Sequence, residues 1–119
     1  MIDIEVNTGR YRITVKGHAL PEESEDYQAI CTAVSALTQA LAYSIGKCGG
    51  DKSALKKMDY RADRGDMLIR AWPEPWAELG IRGIFRCYCD GLEMMAKVRP
   101  ESVHMIWDGE EIRGEDNSK

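Results

Sequence analysis

Two short segments of this chain carry residue types that could do covalent chemistry. Gly17-His18-Ala19 is followed, after eleven intervening residues, by Cys31-Thr32-Ala33-Val34-Ser35. A thiolate attacks acyl carbonyls, and an imidazole titrating near neutral pH is the usual base that generates it. If the fold brings the two together, Cys31 is the nucleophile and His18 the base of a small cysteine-dependent enzyme. The plainer reading stands beside it: a lone helix cysteine is commonly inert packing, and a histidine at a strand end can be a surface residue or a backbone hydrogen-bond donor.

The elements that must position this pair are legible as periodicities. Ile2, Ile4 and Val6 alternate, as do Tyr11, Ile13 and Val15, and Asn7-Thr8-Gly9 between them has turn chemistry, which predicts a hairpin. From Tyr27 the period changes: Ile30, Val34, Leu37, Leu41 and Ile45 recur at helical spacing until Gly46. Residues 55 to 62 and 66 to 72 read as a second hairpin across Asp63-Arg64-Gly65, interrupted by Trp72-Pro73-Glu74-Pro75-Trp76. A second helix from about Glu78 to Lys97 uses Ile81, Ile84, Phe85, Tyr88, Leu92 and Met95, and a last strand holds Val103, Met105 and Trp107. The expected class is α+β in the order ββαββαβ, five strands in a mostly antiparallel sheet with two helices packed against it. Residues 1–108 form the single domain in this reading, and 109–119 a charged, frayed tail.

Composition bounds what this frame can carry. The chain has 119 residues, 44% of them hydrophobic, enough for one core. Sixteen Lys and Arg against twenty Asp and Glu leave a net charge of -4, which argues against a phosphate-backbone binder and is compatible with a basic partner. Met1-Ile2-Asp3-Ile4-Glu5 alternates like a strand rather than like a leader, and residues 27 to 46 include Gln28, Thr32, Ser35, Thr38, Gln39 and Ser44, read as too polar to span a membrane. The expectation is a cytoplasmic protein. Cys31, Cys48, Cys87 and Cys89 are then thiols rather than disulfides.

A helix N-terminus favours a thiolate, and its free N–H groups can hold an oxyanion. Ser35 lies one turn beyond Cys31, with Thr38 and Ala42 continuing a stripe of small side chains offset from the apolar stripe. Two helix starts are open. If Asp26 is the cap, Cys31 is the fifth helical residue, beyond the free N–H groups; if the helix begins nearer Gln28, those groups face Cys31 and Asp26 is free to orient His18. The segment Leu20 to Glu25, with Pro21 and three glutamates, reads as a solvated loop that could close over substrate.

Gly17-His18-Ala19, then Cys31-x-Ala33-Val34-Ser35 and Ala36-Leu37-Thr38-Gln39, resemble the ribosomal-processing cysteine protease family Prp. The resemblance implies an endopeptidase that removes an N-terminal extension from ribosomal protein number twenty-seven of the large subunit, or processes phage capsid and scaffold proteins. It implies a homodimer with His18 as base, Cys31 as nucleophile, and Gly17 and Ser35 in the same site. The substrate would be a basic ribosomal precursor, in keeping with the acidic charge here. The family pattern has a glycine and then an aspartate three positions before the cysteine; here that position is Gln28, and the aspartate is Asp26 in a loop about one residue longer.

Other features carry less. Cys87 and Cys89 stand two apart on a helix and so point in different directions, without a second pair at zinc-site spacing. Trp72 and Trp76 could line a groove or an interface, and are read first as stapling a loop to the core. No phosphate-binding glycine loop or dinucleotide fingerprint occurs, and no cofactor or metal is implied.

Overall fold

The computed structural model describes residues 1–50 and 52–114. Strands β1 (Ile2–Asn7) and β2 (Arg12–Gly17) are followed by helix α1 (Tyr27–Gly46), strands β3 (Leu55–Asp63) and β4 (Asp66–Pro73), helix α2 (Glu78–Val98), and strands β5 (Val103–Trp107) and β6 (Glu110–Ile112). They form one six-stranded sheet in the order β3-β4-β2-β1-β5-β6. Every neighbouring pair is antiparallel except β1 and β5, which run parallel. The fold is the α+β arrangement expected from the periodicities, with one strand more.

That extra strand corrects the tail. Residues 110 to 112 do not fray; Glu110, Glu111 and Ile112 pair with Trp107, Ile106 and Met105. The turn that returns the chain is Asp108-Gly109, both at positive φ. Its charged sequence hid it, because an edge strand with one solvated face needs few apolar residues. Residues 115–119, the rest of the expected tail, lie outside the described residues.

The sheet buries one face. Ile2, Ile4 and Val6 of β1 alternate with exposed neighbours, and Ile13, Val15, Met67, Ile69, Ala71, Val103 and Met105 continue the layer. Against it lie Ile30, Val34, Leu41 and Ile45 of α1 and Ile81, Phe85, Cys89, Leu92 and Ala96 of α2. Thr38 and Ala42, expected on an offset stripe, are buried with the core, whereas Leu37 is only partly so. The hydroxyl of Thr38 can be buried because it donates to the Val34 carbonyl at 2.8 Å. Leu37 packs instead at the helix crossing, where a Cβ on Gly91 would come within 3.2 Å of it.

By length and composition alone, α1 would suffice to cross a membrane, its mean hydropathy reaching 1.3 over eighteen residues, contrary to the reading of it as too polar. Its apolar stripe is spent on the sheet layer instead. The first hairpin also differs in detail: Thr8–Arg10 forms one 3-10 turn, capped by Asn7, whose side chain accepts from the Arg10 N–H, and the left-handed residue is Tyr11, not Gly9. Tyr11 tolerates this because its ring is buried edge-on against Phe85, centroids 5.6 Å apart.

Gly17 closes β2 at a φ of 94°, and a Cβ there would overlap the Met1 carbonyl oxygen. Its N–H donates to the Gly65 carbonyl at 3.0 Å, tying the end of β2 to the β3–β4 turn. Gly17→Ala is expected to destabilise the chain by on the order of 1–3 kcal/mol, read as a lower urea midpoint at unchanged slope.

Candidate active site

The two segments singled out by their chemistry meet at one end of the sheet. Where β2 ends at Gly17, His18 leaves the strand and Ala19 turns inward, only 3% exposed. Helix α1 then brings Cys31 back beside it. The Ala19 N–H donates to Cys31 Sγ at 3.3 Å, and the thiol faces the Ala19 carbonyl at 3.8 Å. An amide donor is thus aimed at the sulfur, where the charge of a thiolate would sit. His18, Cys31 and Ser35 line one open cleft of about 960 Å³, together with Gly17, Gln28, Thr32, Gln39, Met67 and the β3–β4 turn.

His18 is exposed and lies on that turn: a Cβ on Gly65 would overlap its ring, 2.8 Å from Cε1. Gly65, at a φ of 75°, therefore makes the two-residue turn and leaves room for the imidazole. Among the described residues no hydrogen bond joins His18 to Cys31; the sulfur is held by Ala19 instead. His18 and Cys31 share the cleft without a direct hydrogen bond.

Asp26 takes the first of the two openings left by the sequence. It is the cap residue, its carbonyl accepting from the Ile30 N–H at 3.1 Å, so Cys31 is the fifth residue of α1 and its own N–H is inside the helix. Asp26 does not orient His18: its carboxylate accepts from Ser24 Oγ and from Arg99 at 2.9 Å, tying the start of α1 to the end of α2. Ser35 also has a local partner, accepting from Gln39 Nε2 at 2.8 Å across one helical turn. Of the expected site residues, then, Gly17, His18, Cys31 and Ser35 come together, and Asp26 stands apart as an anchor.

The 20–25 loop is folded onto itself. The Leu20 carbonyl accepts from the N–H groups of Glu23 and Ser24, and Glu23 Oε1 accepts from the Leu20 N–H at 2.8 Å. The Met1 amino group donates to the His18 carbonyl at 2.6 Å and pairs with Glu23, which holds that carboxyl below its ordinary range. Sequence reasoning missed Gly65, Met67 and the Asp63-Arg64-Asp66 rim. The hairpin turn itself was visible, but its place beside His18 follows from the pairing of β2 with β4, Lys16 opposite Asp66.

The other thiols are elsewhere. Cys89 is fully buried in the α2 core, and burial followed by the nearby Asp90 carboxylate pushes its thiol up to about 12. Cys87 is exposed. Among the described residues no three His, Cys, Asp or Glu side chains stand together as a metal site. Trp76 lies against the loop before β3, half exposed, with Lys52 over its ring at 4.7 Å.

No family model matches the chain, and no curated protein matches it. Solved structures do. It is similar to the essential ribosomal processing protease Prp from S. aureus in complex with a covalently linked product peptide, with a TM-score of 0.62 and 18% identity, covering 89% of this chain and 96% of that one. The same protease in complex with a substrate peptide gives a TM-score of 0.66 at 16% identity and the same coverage. SMU.848 from Streptococcus mutans gives 0.62 at 16% identity, covering 89% of this chain and 90% of that one. At such identities the likeness is one of fold, and the fold is Prp-like.

Two measurements follow from these contacts. Iodoacetamide near neutral pH should leave Cys89 unlabelled in the folded chain and label it in urea, as peptide mass spectrometry would show; labelling of the native thiol would contradict its burial. For Asp26, the Ser24 hydroxyl and then the Arg99 guanidinium hold the folded-state carboxyl below its usual 3.8. Its stabilisation is therefore complete above that value and is lost as pH falls through the lower folded-state value. Asp26→Asn should flatten the acid limb of a plot of urea midpoint against pH.

Proposed function

We propose that this chain is a Prp-like cysteine endopeptidase that trims the N-terminal extension of a large-subunit ribosomal protein precursor. The observation that carries the reading is that His18 and Cys31, residue types able to act as base and nucleophile, line the same open cleft. The Prp-like fold supports it, as do the peptide-bound states of the similar protease. The chain's net charge of -4 suits a basic substrate.

The chemistry proceeds in two halves. His18 accepts the Cys31 thiol proton, and the sulfur attacks the scissile carbonyl carbon, forming a C–S bond. The negative charge moves to the carbonyl oxygen, and the Ala19 N–H, which meets the sulfur in the unliganded chain, is the nearby donor for it once the thiolate charge has left the sulfur. The C–N bond breaks as the imidazolium protonates the leaving amine, leaving a thioester. Water then attacks; His18 takes its proton, the C–S bond breaks, and the thiol is restored with the acid product. In this reading Gly17 aims the His18-Ala19 segment and Gly65 seats the imidazole. The protein works as a cytoplasmic homodimer.

The rival is a non-catalytic binding module on the same fold, favoured by the engagement of Cys31 Sγ with Ala19 rather than with His18. One experiment separates them. The purified chain, its Cys31→Ala and its His18→Ala variants are incubated with the extended precursor, and new N-termini are read by mass spectrometry. A single cut is expected with the parent chain, none with Cys31→Ala, and a rate at least about 100-fold lower with His18→Ala. Undiminished cutting by Cys31→Ala, or none by a folded parent chain whose Cys31 resists alkylation, would overturn the assignment.

A further inference from the structure

The amide that meets Cys31 is held from its far side. The His18 carbonyl and the Ala19 N–H are the two ends of one peptide unit, trans and planar, so they point in opposite directions. The N–H donates to Cys31 Sγ at 3.3 Å, and the carbonyl oxygen accepts from the Met1 ammonium at 2.6 Å. Whatever fixes that ammonium therefore fixes where the N–H points. A cation on the carbonyl also polarises the amide, which strengthens the N–H as a donor to the sulfur.

Two constraints fix the ammonium. On the strand side, Ile2 is 3% exposed, pairs with Gly17 and donates its N–H to the Ser102 carbonyl at 2.7 Å, which anchors the residue next to Met1. On the loop side, Glu23 takes the ammonium on both carboxylate oxygens, Oε1 at 2.9 Å and Oε2 at 2.8 Å. A single turn places that carboxylate. Pro21 follows Leu20, the Glu23 N–H donates to the Leu20 carbonyl at 3.0 Å, and Glu23 Oε1 accepts from the Leu20 N–H at 2.8 Å, the reciprocal bonding of a capping box. The Glu23 side chain is only 19% exposed, so water and salt screen its charge less than they would on open surface. Glu22 and Glu25 are exposed, and neither makes an ion pair among the described residues.

We propose that Glu23 is a positioning residue for the site: its carboxylate holds the Met1 ammonium on the His18 carbonyl and thereby keeps the Ala19 N–H aimed at Cys31 Sγ. Without the carboxylate, the ammonium returns to water and the peptide unit rotates about the bonds on either side of it, carrying the N–H off the sulfur. Glu23 itself touches neither His18 nor Cys31 and acts through Met1 and Leu20. The consequence for turnover rests on the endopeptidase reading; the aiming of the amide does not.

The test therefore reads the amide and the cleavage separately. Hydrogen exchange of individual amides is followed by NMR in the parent chain, in Glu23→Gln and in Glu23→Ala, each with a free Met1 amine. The carboxamide of Glu23→Gln keeps an oxygen for the Leu20 N–H but loses the charge that holds the ammonium. It should speed exchange at Ala19 at least about tenfold and leave Leu20 protected, whereas Glu23→Ala should speed both. Ile4, buried in β1, should exchange alike in all three. Unchanged exchange at Ala19 in either variant, or a gain there matched at Ile4, would overturn the proposal. Steady-state cleavage of the extended precursor is measured in parallel. In a parent chain that cuts, Glu23→Ala should lower kcat at least about tenfold with KM within about twofold, because the amide acts on charge that develops in the transition state. An unchanged kcat would also overturn the positioning role. Faster exchange at Ala19 in variants of a parent that cuts nothing keeps the aimed amide and removes the protease.

Discussion

The rotational setting of α1 governs the rest of the molecule. Ile30, Val34, Leu41 and Ile45 are each at most 2% exposed against the sheet layer. Burying each such side chain is worth about 1.5–3 kcal/mol relative to leaving it in water, so a rotation by one residue would forfeit several at once. That constraint fixes where every other residue of the helix points. Cys31 and Ser35 follow Ile30 and Val34 by one position each, which puts them at the border of the core and in the cleft, half-buried. Tyr43 is carried to the outer side by the same phase.

The sheet supplies the other wall. Parallel pairing of β1 with β5 and antiparallel pairing of β1 with β2 put the end of β2 beside the start of α1, and pairing of β2 with β4 brings the β3–β4 turn to the same end. Two glycines make that convergence sterically possible. Gly17 admits the Met1 carbonyl and donates to Gly65, and Gly65 admits the His18 ring. The Asp26–Arg99 ion pair at 2.9 Å holds the first turn of α1 to the end of α2. Its exposed partners fix a helix end rather than take part in the cleft.

With Cys31 at the fifth position of α1, the amide that meets its sulfur belongs to Ala19, one residue after His18. Movement of the 18–26 segment would therefore shift the His18 ring and that amide together. A depression beside Tyr43, in contrast, is lined by α1 and β3 residues alone.

Alternation and helical period determined the two hairpins, both helices and the strand at Val103, since burying one face of each element demands those spacings. They also determined that His18 lies at the end of a strand region and Cys31 near a helix start. What the sequence left open was decided by tertiary structure. Whether Asp26 caps the helix or orients His18 depended on Arg99, seventy-three residues away. Strand β6 depended on an edge offered by β5, and the role of Gly65 on the register of β2 with β4. The exposure of Tyr60 depended on β3 being last in the sheet. Each of these rests on a contact between distant segments, and periodicity reports only which face of an element is buried, never which neighbour covers it.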